Sequence, residues 1–299
     1  MPPVIAAAIP SPDISGFTLL PEFSIGSYSI GPLSVHFYAL CILLGMAAAV
    51  WLTMRRWKAK GQDPDVLWDI VFWAVIAGIV GARAYHVLIT DPVGYFGPGA
   101  DPMDALRIWE GGLGIMGGVL FGAGAAWLVS RKNGVPLWYF ADAVAPSLLL
   151  AQGIGRWGNW FNQELFGKPT ELPWGLEIDP SSGNFPAGLP ADTLFHPTFL
   201  YEILWNLAGV VILITLGRRF ELTHGRLFAL YLVYYGFGRL MIELFLRVDP
   251  ALMIGGQRVH VWTSLALILF GIALFAAISS KVRRNPEIPA NGAAHSSLG

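Results

Sequence analysis

Seven stretches of this chain are each long and apolar enough to cross a bilayer: near 35–54, 67–90, 111–130, 136–155, 196–217, 227–246 and 259–279. A spanning helix needs roughly 20 apolar residues. In hydrocarbon every backbone polar group must be satisfied within the segment, so such stretches become helices. The chain is 55% hydrophobic and only 13% charged over 299 residues, with mean hydropathy +0.56. A soluble chain of that length needs far more charge to cover its surface. The expectation is an all-α polytopic membrane protein, with about seven transmembrane helices and a small extracytoplasmic cap. Several spans contain ionisable residues, which should face inward in a bundle.

Lys and Arg set the orientation. Twelve lie in one alternating set of loops: Arg55, Arg56, Lys58 and Lys60; Arg131 and Lys132; Arg218, Arg219 and Arg226; Lys281, Arg283 and Arg284. The other set holds five: Arg107, Arg156, Lys168, Arg247 and Arg258. The N-terminus is therefore expected outside and the C-terminus in the cytoplasm. Residues 1–34 carry no Lys or Arg and so lack the basic start of a cleavable signal peptide; they read as an extracytoplasmic arm. The transmembrane body is expected over 35–282, including a cap over 156–195. That cap is rich in Pro and Gly, with turns and a short hairpin. Residues 283–299 read as a disordered cytoplasmic tail. The single cysteine, Cys41, allows no disulfide within one chain and reads as a small packing residue in the first span.

Five constellations stand out. Gly155-Arg156-Trp157-Gly158-Asn159-Trp160-Phe161-Asn162-Gln163-Glu164 follows an apolar span directly. An interfacial belt accounts for its tryptophans. It does not account for Arg156 packed with Asn159, Asn162 and Glu164. A desolvated arginine beside amide donors suits a lipid-anchored phosphate. Arg239, Glu243 and Arg247 recur every four residues, on one helix face of the sixth span. A charge at mid-bilayer costs on the order of 3 kcal/mol, so an arginine stripe there points to use. His196-Pro197-Thr198-Phe199-Leu200-Tyr201-Glu202 opens the fifth span. His196 and Glu202 suit proton handling, and Glu202 equally suits a buried partnership with Arg83 or Arg239. The glycines of Trp109–Gly118 permit close backbone approach, for helix packing or for a ligand. His36-Phe37-Tyr38 is a belt, or it places a hydroxyl in a polar cavity. Arg83 and Asp142 are isolated charges that need partners inside the bundle.

No Cys/His metal pattern, Walker-type loop or Rossmann fingerprint is present, so no metal and no cofactor are expected. A net charge of −1 gives no nucleic-acid footprint, and no nucleic-acid partner is expected. What remains is cofactor-free chemistry on an anionic lipid. The competing reading is a transporter or flippase for such a lipid. Against it, there is no internal repeat with matched broken helices.

GRWGNWFNQELFG, WEGGLGIMGG, HPTFLYE and YGFGRLMIELFLR resemble, in order and spacing, the motifs of prolipoprotein diacylglyceryl transferases, from about Val35 to Val282. The resemblance implies a seven-span enzyme of the bacterial inner membrane. It implies transfer of the diacylglyceryl group of phosphatidylglycerol to the lipobox cysteine of a preprolipoprotein signal peptide, with glycerol phosphate released, on the extracytoplasmic side. The implied partners are those two substrates and membrane lipids. The family's functional positions fall on Tyr38, Arg156, Asn159, Glu164, Gly167, Arg239 and Glu243, and Asp142 also matches. Catalytic roles are expected for Arg156, Arg239, Tyr38 and Glu243. Lipid binding is expected for Arg156, Asn159, Asn162, Glu164, Gly167, Arg239, Arg247, His196, Glu202 and Asp142. One departure matters: where the family often carries a histidine, a candidate general base, this chain has Met116. A thiol with pKa about 8.5 already supplies some thiolate near neutrality. Stabilising the leaving phosphate is then the larger task.

Overall fold

The computed structural model describes residues 8–284, apart from 22, 26, 27, 31, 32 and 250. These fall into two compact units, one of residues 8–52 with 144–284 and the other of residues 53–143.

The first unit begins with nested hairpins that the sequence reading does not anticipate. β1 (Gly16–Leu20) pairs antiparallel with β4 (Leu33–His36), and β2 (Phe23–Ile25) with β3 (Tyr28–Ile30). Strand β4 runs directly into helix α1 (Phe37–Ala59), so Tyr38 is fixed in the first turn of that helix.

In the second unit, α2 (Pro64–Tyr85) starts at the N-cap Asp63, whose side chain accepts from the Asp65 amide, with Pro64 in the first turn. It continues as a π-helical turn over His86–Thr90. A short α3 (Pro92–Phe96) and two 3₁₀ turns lead to α4 (Ile115–Lys132). Helices α2 and α4 meet through glycines. A Cβ on Gly81 would lie 2.7 Å from the Gly117 carbonyl, and one on Gly117 would strike the Gly81 carbonyl. This is helix packing through small residues, one of the two roles open to the glycine segment. The core beneath is Trp57, Leu67, Ile70, Ala126, Tyr139 and Ala143.

The remaining helices are α5 (Leu137–Phe161), α6 (Thr198–Arg219), α7 (Arg226–Phe245) and α8 (Val259–Arg284); β5 (Met253–Ile254) and β6 (Gln257–Arg258) form a hairpin before α8. Among the described residues six helices are long and apolar enough to span: α1, α2 with its π turn, α5, α6, α7 and α8. The expected seventh, 111–130, is present but shorter. Gly111 and Gly112 have φ of +92° and +70° and the N-cap Gly114 is extended, so the helix begins at Ile115. Its 18 residues rise about 27 Å at 1.5 Å each and end on Arg131 and Lys132.

Two cores serve the first unit. Leu149, Leu213, Leu227 and Tyr231 fill the space between α5, α6 and α7. Phe166, Leu176, Ile178, Phe195, Phe199 and Ile203 anchor the segment 162–197 on α6. Among the described residues that segment contains isolated bridges, not the expected hairpin: Pro169 with Phe195 and Leu176 with both Phe195 and Ile9.

Candidate functional site

The end of α5 builds the first half of the site. The chain leaves the helix through Gln163 and Leu165 at φ of +50° and +59°. Left-handed non-glycine residues persist only where the surroundings over-determine them. Here the Glu164 amide donates to the Asn159 carbonyl at 3.0 Å, and the Thr198 hydroxyl donates to the Leu165 carbonyl. The turn folds Glu164 back over the helix end. Its Oε1 accepts from Asn159 Nδ2 at 2.8 Å and from Asn162 Nδ2 at 3.3 Å. Asn159 Oδ1 accepts from Arg156 Nη1 at 3.1 Å. The amides and carboxylate of this run therefore buttress Arg156. Its Nη2 pairs with Glu202 of α6. Among the described residues of this unit Glu202 pairs with Arg156 and not with Arg239. Choosing between them requires the α5–α6 register, which spacing along one helix does not contain. Tyr38 lies against Gly158, where a Cβ would come within 2.6 Å of its ring. Its hydroxyl feels the charges of Glu164 and Arg156.

The second half lies at the end of α7. Glu243 is 3% exposed. Arg239 Nη2 lies 2.5 Å from its Oε1, without hydrogen-bond alignment, and Arg258 Nε donates to its Oε2 at 2.6 Å. Arg258 also donates to the Asp249 carbonyl at 2.6 Å and to Asp249 Oδ2 at 3.0 Å. Arg247, 5% exposed, has Nη1 3.2 Å from Asp249 Oδ1. Burial pushes the Arg247 guanidinium below its usual range, the charge of Arg239 adds to this, and Asp249 opposes it. The Arg247 side chain is enclosed by the cluster, whereas those of Arg156, Arg239 and Arg258 are part-exposed, and of these Arg239 lines a cleft.

Main-chain pairing ties the halves together. Gly167 forms an antiparallel bridge to Arg247, its amide donates to the His196 carbonyl, and the Lys168 amide donates to the Leu246 carbonyl. A Cβ on Gly167 would lie 2.8 Å from that of His196. Gly167 therefore marks a close approach of two chain segments. His196 Nδ1 stands 3.3 Å from the Tyr201 hydroxyl, which accepts from Trp174 Nε1 at 3.1 Å. Burial, then Lys168, holds the imidazole pKa below its usual value.

A cleft of about 140 Å³ runs between α6 and α7, lined by Glu202, Trp205 and Asn206 facing Tyr235, Gly238 and Arg239. Glu202 links it to Arg156. A larger cavity of about 400 Å³ lies over the cap among Asp13, Glu177, Asp179 and Asp192. Four carboxylates repel an anion, so the smaller cleft is the candidate site for one.

Asp142 is not brought into this cluster. It belongs to the 53–143 unit, fourteen positions before Arg156 on α5, beside Lys60 and Arg56. Burial lowers the Lys60 pKa and Asp142 opposes that. Asp142 stands near the start of α5 among basic residues of its own unit. Arg83, also in that unit, donates to main-chain carbonyls of Asp104, Ala105, Arg107, Gly111 and Gly112.

Sequence reasoning misses Arg258, Asp249, Trp205 and Asn206. Asn206 is within its reach, since it stands four residues after Glu202 on the same face. Arg258 is not, because its bond to Glu243 spans a loop and a hairpin.

The family model for prolipoprotein diacylglyceryl transferase matches residues 26–277. The phosphatidylglycerol–prolipoprotein diacylglyceryl transferase of Paenarthrobacter aurescens is 51% identical over 279 residues, covering 90% of this chain and 86% of the relative. Transferase 2 of Streptomyces coelicolor is 50% identical over 269 residues, covering 90% and 83%. The Bifidobacterium adolescentis enzyme is 48% identical over 269 residues, covering 87% and 80%. With the motifs in order along a helical membrane chain, and with these relatives matched over most of their length, this chain belongs to the prolipoprotein diacylglyceryl transferase family.

Proposed function

We propose that this chain transfers the diacylglyceryl group of phosphatidylglycerol to the lipobox cysteine of a preprolipoprotein signal peptide and releases glycerol phosphate. The observation that carries this reading is the pair of part-exposed arginines: Arg239 lines the α6–α7 cleft, and Arg156 is paired with Glu202, the one carboxylate in its lining.

The chemistry follows from charge. The lipid phosphodiester enters with one negative charge, and the leaving glycerol phosphate carries a second. The cysteine sulfur attacks the glyceryl carbon, the S–C bond forms, the C–O bond to phosphate breaks, and the thiol proton goes to solvent. The charge that develops sits on the departing oxygen. Interactions that strengthen only as that charge develops raise the rate. Arg156 is held by Asn159 and Glu202, and Arg239 by Glu243, so both guanidiniums are set before the lipid arrives. Alignment of thiol and carbon supplies the rest. The expected arm over 1–34 and tail over 283–299 lie partly outside the described residues, and Arg283 and Arg284 belong to α8. The site faces the extracytoplasmic side, with the N-terminus outside and the basic end of α8 in the cytoplasm.

The test is direct. Purified protein in phosphatidylglycerol vesicles is incubated with a lipobox peptide and the peptide is weighed by mass spectrometry. A thioether-linked diacylglyceryl adduct is expected. An unmodified peptide beside an active control enzyme would sink the reading and return weight to lipid transport.

A further inference from the structure

Arg258 ends β6 and stands immediately before α8. All three of its nitrogens are engaged: Nε with Glu243, Nη1 with the Asp249 carbonyl and Nη2 with the Asp249 carboxylate. Arg239 shares the same Glu243, but through one nitrogen and without hydrogen-bond alignment. Two guanidiniums thus divide one fully buried carboxylate unequally. An unopposed arginine–carboxylate pair closes into a two-pronged fork. Such a fork on Glu243 would turn a second Arg239 nitrogen away from the cleft. Arg258 occupies the oxygen that the fork needs.

We propose that Arg258 is a positioning residue for the transfer reaction. It holds Glu243 by one oxygen and so leaves the other Arg239 donors facing the lipid phosphate. The proposal rests on the transferase reading and names a residue beyond Arg239, Glu243 and Arg247, the last of which lies past the end of α7. The alternating row Arg239–Glu243–Arg258–Asp249–Arg247 gives each carboxylate two cationic neighbours. Buried charges are tolerable only when paired in this way. The β5–β6 hairpin fixes the register, with Gly255 and Gly256 at φ of +59° and +76° in its turn.

The test compares Arg258→Gln, Arg258→Lys, Glu243→Gln and the double variant Arg258→Gln/Glu243→Gln in the vesicle assay. Because the Arg239 contact strengthens as charge develops, Arg258→Gln should lower kcat about tenfold while KM for phosphatidylglycerol moves less than about threefold. Arg258→Lys keeps the charge but cannot span both acids, so its kcat should fall between those of the Arg258→Gln variant and the parent. In the Glu243→Gln background the Arg258→Gln change should cost less than about twofold more, because there is no carboxylate left to hold. A parental kcat for Arg258→Gln, or equal losses in both backgrounds, overturns the proposal. If Arg258→Gln fails to insert, Arg258→Lys carries the measurement, and a parental kcat in that variant overturns it. Failure of the functional reading looks different: the parent makes no adduct, or Arg239→Ala keeps full rate.

Discussion

Arg83 and Arg239 are both arginines in helices read as spanning, and their surroundings are opposite. A guanidinium has five N–H donors. Arg83 makes five hydrogen bonds, all to main-chain carbonyls between residues 104 and 112, and its guanidinium lies 5.0 Å from the Tyr95 ring. It has no donor left for a ligand. It closes the loop after α2 much as a metal ion would. Arg239 has one ion-pair contact and opens on a cleft. Saturated donors mark a structural arginine, and unsaturated, part-exposed donors mark one that awaits an anion. Charge and depth alone do not separate the two, and the sequence assigns Arg83 no partner.

The largest expected effect breaks this comparison if it fails. Arg156→Ala and Arg239→Ala should each lower transfer by about two orders of magnitude, the loss seen on removing an oxyanion donor. Correct insertion should be kept. Arg239→Lys should also be poor, since a point charge does not reproduce a planar fork. Near-parental turnover in either alanine variant would remove the phosphate assignment. Arg83→Ala should act on stability first. Stranded carbonyls in a partly buried loop should cost about 2–4 kcal/mol, read as a lower thermal midpoint in detergent. Arg83→Lys should not restore it, because three donors cannot reach five carbonyls. An Arg83→Ala protein of parental stability with no activity would mean that Arg83 had been misread.

The same contrast explains what is legible in the sequence. Arg156, Asn159 and Glu164 lie within one helix end and its turn, so their association can be read from adjacency. Glu243 and Arg239 are one helical turn apart and are equally visible. Contacts between elements are not: Glu202 with Arg156, and Arg258 with Glu243, depend on helix register. The spans are legible because bilayer thickness imposes length. Their ends are less so, and α4 loses its first four expected residues to two glycines with positive φ. The hairpins of the N-terminal arm escape a reading for charge, because alternation rather than charge encodes them. The surroundings of Gly167 and Asp142 are equally hidden from motif matching: one sits where two backbones approach closely, and the other lies among basic residues of the 53–143 unit.

A smaller effect sharpens the reading of His196. Its folded-state pKa lies below the ordinary value of about 6.5. The unfolded chain therefore binds the proton more readily. The contribution of this group is fully present above about pH 6.5 and is lost as pH falls from there through the lower folded value. The stability difference between parent and His196→Gln should shrink on acidification across that window. A difference that stays constant from about pH 7.5 to 5 would mean that the ring is not held neutral by its surroundings.

The smallest expected effect concerns Met116, where the family often has histidine. Met116 sits in the first turn of α4 and is 62% exposed. A thioether takes no proton, so a base at this position cannot be part of this chain's chemistry. Met116→Leu should keep most of the activity. Met116→His should be tolerated without a tenfold gain. Supplying thiolate is worth only the gap between a thiol pKa of about 8.5 and ambient pH, roughly 2 kcal/mol. Most of the barrier must then be met at the leaving phosphate, by Arg156 and Arg239. Transfer rates for both variants between about pH 6 and 9 decide the matter. A large gain for the histidine variant at the acid end would show that proton removal, not leaving-group charge, limits the parent, and would move the weight of catalysis away from the arginines.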